Sequence, residues 1–387
     1  MPAISYGPPP SVASDIPSVV GNCVSKRHTF QDYSRIAAPD QTIPQRRGAP
    51  PLIDYTVYDW TIDFSKDLVT FGGTGGLMLS CMPADPSKNQ TSASSARIST
   101  TRYMLYGRIT ARIKAVQQSG FVTSLITMSD IGDEIDWELV KNTAQTNVFY
   151  HQFEDQPPWN LTTLDPEFGK HFGMFNVTGG RLDDWHIYTI DWGHDKITWS
   201  IDGLVVKTFT RAVDGMNSTQ VQQGMVPLWY PQTPSLVQFS LWDAGDNPST
   251  MDWSGEADWS NLDPVYGRTA IFEYIDIQCY NDQDQPVDRW PPNTPDNRKG
   301  NGVVDPPMLA DGSVMGQSNP SLVPNTNTSN LTPGMIANAS APTFRDPSKL
   351  PPGSRPPGSA ASASINWDMA MFWIYGFLIL RAIKLLS

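Results

Sequence analysis

The chain has 387 residues and a formal net charge of -12, with 39% hydrophobic and 17% charged residues. That length allows one large domain or two small ones. The acidic balance excludes nucleic-acid binding, which needs a basic footprint. Trp and Tyr number 13 each. So many aromatics beside so few charges suit a β-rich protein with an aromatic-lined cleft, where the apolar C–H faces of sugar rings can stack.

Residues 1–49 are rich in Pro, Ser and Gly and read as a poorly ordered lead-in. Residues 1–20 hold no basic stretch followed by an apolar core, so no signal peptide is read there. A domain is expected over 50–284. It opens with alternating aromatics from Tyr55 to Phe64, then a strand at Gly75–Ser80. In the run Tyr106–Lys114, Ile109, Ala111 and Ile113 share one face, while Arg108, Thr110, Arg112 and Lys114 share the other. Ser124–Asp130 reads as a strand ending in a turn, and Gln145–Gln152 as another β-prone run. Ile187–Trp192 alternates again. Ile197–Ile201 and Leu204–Lys207 flank Asp202-Gly203, a strong hairpin signal. Val237–Trp242 and Ile271–Ile277 complete the set, with no long helical period before the C-terminus. Many short strands with Gly and Asn/Asp turns predict an all-β antiparallel sandwich or barrel, large enough to bury a core without metal or disulfide staples.

Three cysteines, Cys23, Cys81 and Cys279, allow one disulfide at most. A bridge that includes Cys279 is favoured, because that residue ends a strand-like run; its partner stays open. No close Cys or His spacing suggests a metal site. Seven N-x-S/T sequons, at Asn89, Asn160, Asn176, Asn217, Asn327, Asn330 and Asn338, lean toward a secreted glycoprotein.

Residues 285–364 hold 15 of the 34 prolines, among Ser, Asn and Thr, and read as a linker with too little apolar surface to fold. Residues 365–387 form a hydrophobic tail. Its uninterrupted apolar run, Met369–Leu380, is 12 residues, short of the ~20 a spanning helix needs. Small residues at 358–362 precede it, as in a GPI signal. A direct membrane anchor ending in Arg381 and Lys384 is the rival.

Between the two β-prone runs lies Asp133-Glu134-Ile135-Asp136-Trp137-Glu138. Period-two alternation puts Glu134, Asp136 and Glu138 on one face of a central meander strand and Ile135, Trp137 and Leu139 on the other. A solvated strand face is the plain reading. Glycoside hydrolysis gives such a row a purpose: it needs one carboxylate as nucleophile and another as a protonated acid on one surface. Crowded like charges drive the pKa values apart, which makes both roles available at one pH.

The chain resembles glycoside hydrolase family 16, and within it the fungal Crh-type cell-wall transglycosylases. The resemblance spans roughly residues 50–283 and rests on several runs. The first are Ser99–Gly107, Met128–Asp130 with Asp133–Glu138, and Gln145-Thr146-Asn147. The others are Asp184–Trp192, Lys196–Gly203, Pro234–Trp242 and Asp252–Gly255. It implies a concanavalin A-like β-jelly roll with the acid strand in a concave groove. It also implies a retaining mechanism with Glu134 as nucleophile, Asp136 as the residue that orients and tunes it, and Glu138 as acid/base, with both Glu side chains facing solvent in the groove. Trp242 and Trp253 become candidates for an acceptor platform, with Arg102, Tyr150 and Gln152 as groove residues. Each of these, and His186, is as readily a packing residue.

The resemblance further implies a polysaccharide partner, β-glucan or chitin, and transfer to a glucan acceptor. The site would lie outside the cell, at the wall or plasma-membrane surface, in a monomer attached through its tail. No cofactor and no metal is expected. Two rival readings share the fold: an endo-β-1,3(4)-glucan hydrolase, and a non-catalytic glucan-binding wall protein.

Overall fold

The computed structural model describes residues 21–31, 33–37, 54–71, 76–130, 132–149, 171–211 and 230–295. In chain order the strands begin with β1 (Cys23–Val24), β2 (Lys26–His28), β3 (Ile36–Ala37), β4 (Trp60–Phe64), β5 (Val69–Phe71) and β6 (Leu77–Cys81). Next come β7 (Ala96–Thr100), β8 (Gly107–Lys114), β9 (Phe121–Ser129), β10 (Glu134–Val140), β11 (Thr143–Phe149) and β12 (Phe172–Asn176). Then follow β13 (His186–Trp192), β14 (Lys196–Ile201), β15 (Leu204–Thr210), β16 (Ser235–Asp243), β17 (Arg268–Tyr280), β18 (Pro286–Val287) and β19 (Arg289–Trp290).

Two large sheets form. One has eight strands in the order β12-β11-β10-β9-β16-β7-β4-β3; the other runs β15-β14-β13-β8-β17-β6-β5, with β2 and β18 also paired to β17. All pairings in both are antiparallel except β3 on β4. The fold is the all-β sandwich that the alternating runs predict.

The core lies between the sheets. The side chains at every second position of β8 and β13 are buried, which is what a half-buried strand requires. Phe239 of β16 meets Phe272 of β17 with ring centroids 4.8 Å apart. Trp199 of β14 donates its Nε1–H to the Asp136 carbonyl across the sandwich at 2.9 Å. Asp202 and Gly203 both take positive φ, 50° and 82°, the two left-handed positions of a hairpin turn matched to strand twist. At the tip of β10 and β11, Val140 faces Thr143 across Lys141–Asn142, with Lys141 at φ 57°. That short turn fixes the register of the whole β10–β11 ladder.

The structure differs from the expected boundaries at both ends. The lead-in expected over 1–49 contains strands: β1 pairs β19 and β2 pairs β17. A disulfide joins Cys23 to Cys279, leaving Cys81 free and buried. Buried ion pairs of Lys26 and Arg35 with Asp59, and of Arg27 with Asp276, hold this segment down. Composition hid it, because the ordered stretch is short and its partners are far away in sequence. Likewise residues 285–295, assigned to the linker, carry β18 and β19. The linker and tail beyond 295 lie outside the described residues. A seven-residue helix, α1 (Pro248–Ser254), lies outside the expected strands; Asn247 caps it by accepting from Ser249 N, with Pro at the first turn.

The disulfide closes a loop of 256 residues. Loop-closure entropy values such a link at about 5 kcal/mol. Reduction should therefore lower the unfolding free energy by roughly that amount, measured by urea titration with and without reductant. Identical midpoints would contradict the account.

Candidate active site

Strand β10 places the acids. Ile135, Trp137 and Leu139 are fully buried in the core, so the intervening side chains must point out of the other face of the eight-stranded sheet. Residues opposite one another on neighbouring strands share that face. Glu138 lies between Ser124 and Gln145, Asp136 between Ile126 and Asn147, and Glu134 between Met128 and Phe149.

The acids are less open than expected. Glu134 is 8% exposed and Asp136 2%; only Glu138 is half-buried. Neighbouring strands crowd this face, so the carboxyls sit sunk in it and not on an open surface.

Asn147 organises the row. Its Nδ2 donates to Glu138 Oε2 at 2.8 Å and to Asp136 Oδ2 at 3.3 Å. Gln145 Nε2 in turn donates to Asn147 Oδ1 at 2.9 Å, which fixes the amide's orientation. Asp136 Oδ1 has no well-aligned partner. A hydrogen bond between the Asp136 and Glu134 carboxyl groups lowers the pKa of Glu134 and raises that of Asp136.

All three carboxyls are held above the ordinary range. Burial pushes Glu134 up to about 8, with the charge of Glu138 adding to it and the Asp136 hydrogen bond opposing. Burial raises Asp136 well above its usual value, followed by the charges of Glu134 and Glu138. Glu138 rises to about 7 through burial, with the Asn147 hydrogen bond opposing.

The consequence for stability has a definite sign. Unfolded, the two glutamates ionise near pH 4.5; folded, they keep protons to about 7 and 8. The folded state therefore binds more protons across this window, and stability falls as pH rises through it. A variant with Gln, Asn and Gln at 134, 136 and 138 should lose that slope in urea titrations between pH 4.5 and 8. An equal slope in both proteins would contradict the shifts.

Asp133 fixes where β10 begins. Its Oδ2 accepts from Gln232 N at 2.8 Å, Thr233 N at 3.0 Å and Thr233 Oγ1 at 2.6 Å. Its own N–H donates to Ser129 Oγ.

The family model of glycosyl hydrolases family 16 matches residues 58–261, which contain this row and the strands from β4 to β16. The chain belongs to family 16. Among relatives, Crh-like protein 2 of Aspergillus fumigatus is 40% identical over 194 residues, 47% of this chain and 39% of the relative. Congo red hypersensitive protein 2 of Saccharomyces cerevisiae is 32% identical over 269 residues, 67% of this chain and 49% of the relative. The chain thus spans half or less of the length of these relatives. A solved structure of apo Crh5 transglycosylase is 23% identical with a TM-score of 0.47, covering 70% of this chain and 91% of that one.

In this family 16 chain the two tryptophans flank the Glu138 end of the row. Trp242, next beyond Ser240 on its strand face, donates Nε1–H to Ser124 Oγ at 3.3 Å. Trp253, on α1, donates to Gln145 Oε1 at 2.9 Å. Their ring centroids are 6.2 Å apart, and both rings are partly exposed.

Arg102 departs from the expectation of a groove ligand. Its guanidinium donates to the carbonyls of Asn22 and Pro295, both at 3.0 Å, and lies 4.8 Å from the Tyr55 ring centroid. It clasps the two ends of the described domain, which sequence spacing could not reveal. Tyr150 and Gln152 lie outside the described residues. His186 bonds Asp202 at 2.7 Å and the Arg181 carbonyl at 3.0 Å on the opposite sheet, a packing role. Sequence reasoning had Gln145 and Asn147 only as part of a motif. Their chemical part follows from hairpin register, which sets them opposite Glu138 and Asp136.

Proposed function

We propose that this chain is a retaining glycosidase or transglycosylase of β-glucan or chitin. Glu134 is the nucleophile, Asp136 its positioning partner and Glu138 the acid/base. One observation carries the reading: three carboxyls stand on one face of β10, with Asn147 tying Asp136 to Glu138.

At the start of the cycle Glu138 is protonated. Its repulsion of Glu134 is then absent, and the Asp136 hydrogen bond favours the Glu134 carboxylate. Glu134 attacks the anomeric carbon as Glu138 gives its proton to the departing glycosidic oxygen. A covalent glycosyl-enzyme and a free sugar end result. Glu138, now ionised and held by Asn147, takes a proton from an acceptor hydroxyl, which attacks the anomeric carbon and releases Glu134. Water as acceptor gives hydrolysis. A sugar stacked at the Glu138 end on Trp242 and Trp253 displaces that water and gives transfer.

The relatives' names favour transfer in cell-wall polymers. Work outside the cell fits the disulfide and the exposed sequon residues Asn89 and Asn176. The remaining parts of the reading are a monomer, a linker over the rest of 285–364, and a tail at 365–387 acting as GPI signal or anchor. Among the described residues no helix is long and apolar enough to cross a membrane.

A chitin oligosaccharide incubated with a labelled β-1,3-glucan oligomer tests the reaction type. Label moving into longer products is expected. Shorter products alone would favour the hydrolase, and no product from either sugar would overturn the proposal.

A further inference from the structure

The hydrogen-bonded chain that ends on the acids begins on another element. Trp253 of α1 donates its Nε1–H to Gln145 Oε1 at 2.9 Å. Gln145 Nε2 donates to Asn147 Oδ1 at 2.9 Å and, more loosely, to Glu138 Oε2 at 3.4 Å. Asn147 Nδ2 donates to Glu138 Oε2 and Asp136 Oδ2. Gln145 and Asn147 are buried, so bulk water does not compete for their amides. Trp253 is held at the outer end by the seat of its helix. Thr250 Oγ1 donates to the Ala244 carbonyl at 2.5 Å, and Gly120 N, just before β9, donates to the Ser254 carbonyl at 2.9 Å.

Every member of this chain except the first can point either way. A primary amide exchanges its oxygen and nitrogen by a half-turn, and a carboxyl accepts as an anion or donates as an acid. An indole N–H only donates. The Gln145 atom against it must therefore be the carbonyl oxygen, which turns the Gln145 amide nitrogen toward Asn147. Asn147 meets that donor with its own oxygen, which turns its amide nitrogen toward Glu138 and Asp136. Reversing Gln145 would set its amide nitrogen against the indole N–H. Asn147 would then reverse as well and place its oxygen beside the Glu138 carboxylate.

We propose that Trp253 is a positioning residue for the acid/base: its N–H sets the direction of both amides and so keeps Asn147 donating to Glu138. The donor matters most after the first step, when Glu138 has given up its proton and stands as a buried anion. This rests on the reading of Glu138 as acid/base and goes beyond it in assigning what aims the neighbouring amide. The titratable groups around Glu138 are few. Its own strand carries Glu134 and Asp136, with Lys141 in the turn beyond. Opposite it β9 offers Ser124 and β11 Gln145, neither of which titrates, and Asp252 of α1 is exposed.

The test separates aiming from packing. Trp253→Phe keeps an aromatic ring and removes the N–H. Water in its place can donate or accept, so Gln145 is no longer held one way. Gln145→Met removes the amide itself. The pH profile of kcat/KM on a natural oligosaccharide is measured for the parent, both single variants and the double variant, beside their melting temperatures. In Trp253→Phe the alkaline limb, where Glu138 loses the proton it must give, should move up by about one pH unit, the worth of one hydrogen bond to a charged group. The kcat should fall while KM changes little. Adding Trp253→Phe to Gln145→Met should move the limb no further, because the link is already cut. An unmoved limb in Trp253→Phe overturns the inference, even if kcat falls at every pH, since that is what lost packing or stacking alone would do. A further shift in the double variant also overturns it. Should Trp253→Phe fail to fold, an unmoved limb in Gln145→Met overturns it instead. If Glu138→Gln keeps the rate and profile of the parent, the acid/base reading falls, and this inference with it.

Discussion

Glu134→Gln should lower turnover of a natural oligosaccharide by roughly 10⁴-fold or more, the scale on which loss of a nucleophile acts. The covalent route needs a carboxylate at the anomeric carbon, and an amide cannot supply one. Glu138→Gln should cost about 10²–10⁴-fold, as for a lost acid/base. That deficit should shrink with an aryl glycoside, whose leaving group departs without protonation. Neither change should unfold the protein. Glu134 is buried and Glu138 half-buried, both with raised pKa values, so an isosteric amide relieves desolvation while filling the same space. Steady-state kinetics on both substrate types, alongside melting temperatures, check this. Full activity of the Glu134 variant would remove the assignment.

Trp137→Ala should destabilise the fold by about 3–5 kcal/mol, the usual range for a buried Trp. Trp137 sits between Asp136 and Glu138 on the opposite face of β10 and is fully buried. Its Nε1–H donates to the Thr189 carbonyl at 3.1 Å, and its ring meets Tyr188 edge-on at 5.5 Å. The indole pins the acid strand to the second sheet. Its loss should also reduce the turnover of whatever folded protein remains. Urea titration measures the first effect, and a cost under about 1 kcal/mol would show that the strand is held by other contacts.

The sandwich was legible because alternation dominates it. Ile109, Ala111 and Ile113 in β8, and the Asp202-Gly203 turn, say strand and hairpin without outside help. The acid row was legible for the same reason, since Ile135, Trp137 and Leu139 force Glu134, Asp136 and Glu138 onto one face. What sequence could not provide is long-range register. Asn147 reaches Glu138 only because the Lys141–Asn142 turn sets the ladder. Trp253 meets Gln145 only because α1 folds back from more than a hundred residues further along the chain. Cys23 and the strands around it looked like a disordered lead-in, because the groups that order them, Cys279, Asp276 and Trp290, lie more than two hundred residues away. Arg102 reads as a groove cation until its two carbonyl partners, at opposite ends of the domain, are seen.

The proposed reaction turns on Glu134 forming a glycosyl-enzyme. An activated 2-deoxy-2-fluoro oligosaccharide slows release of that intermediate, and mass spectrometry of the digested protein then locates the sugar. The predicted result is one added oligosaccharide on the peptide containing Glu134, with fragment ions placing it on that side chain, and none in the Glu134→Gln variant. A sugar on Asp136 or Glu138, or release of product with inverted anomeric configuration and no adduct, would contradict it.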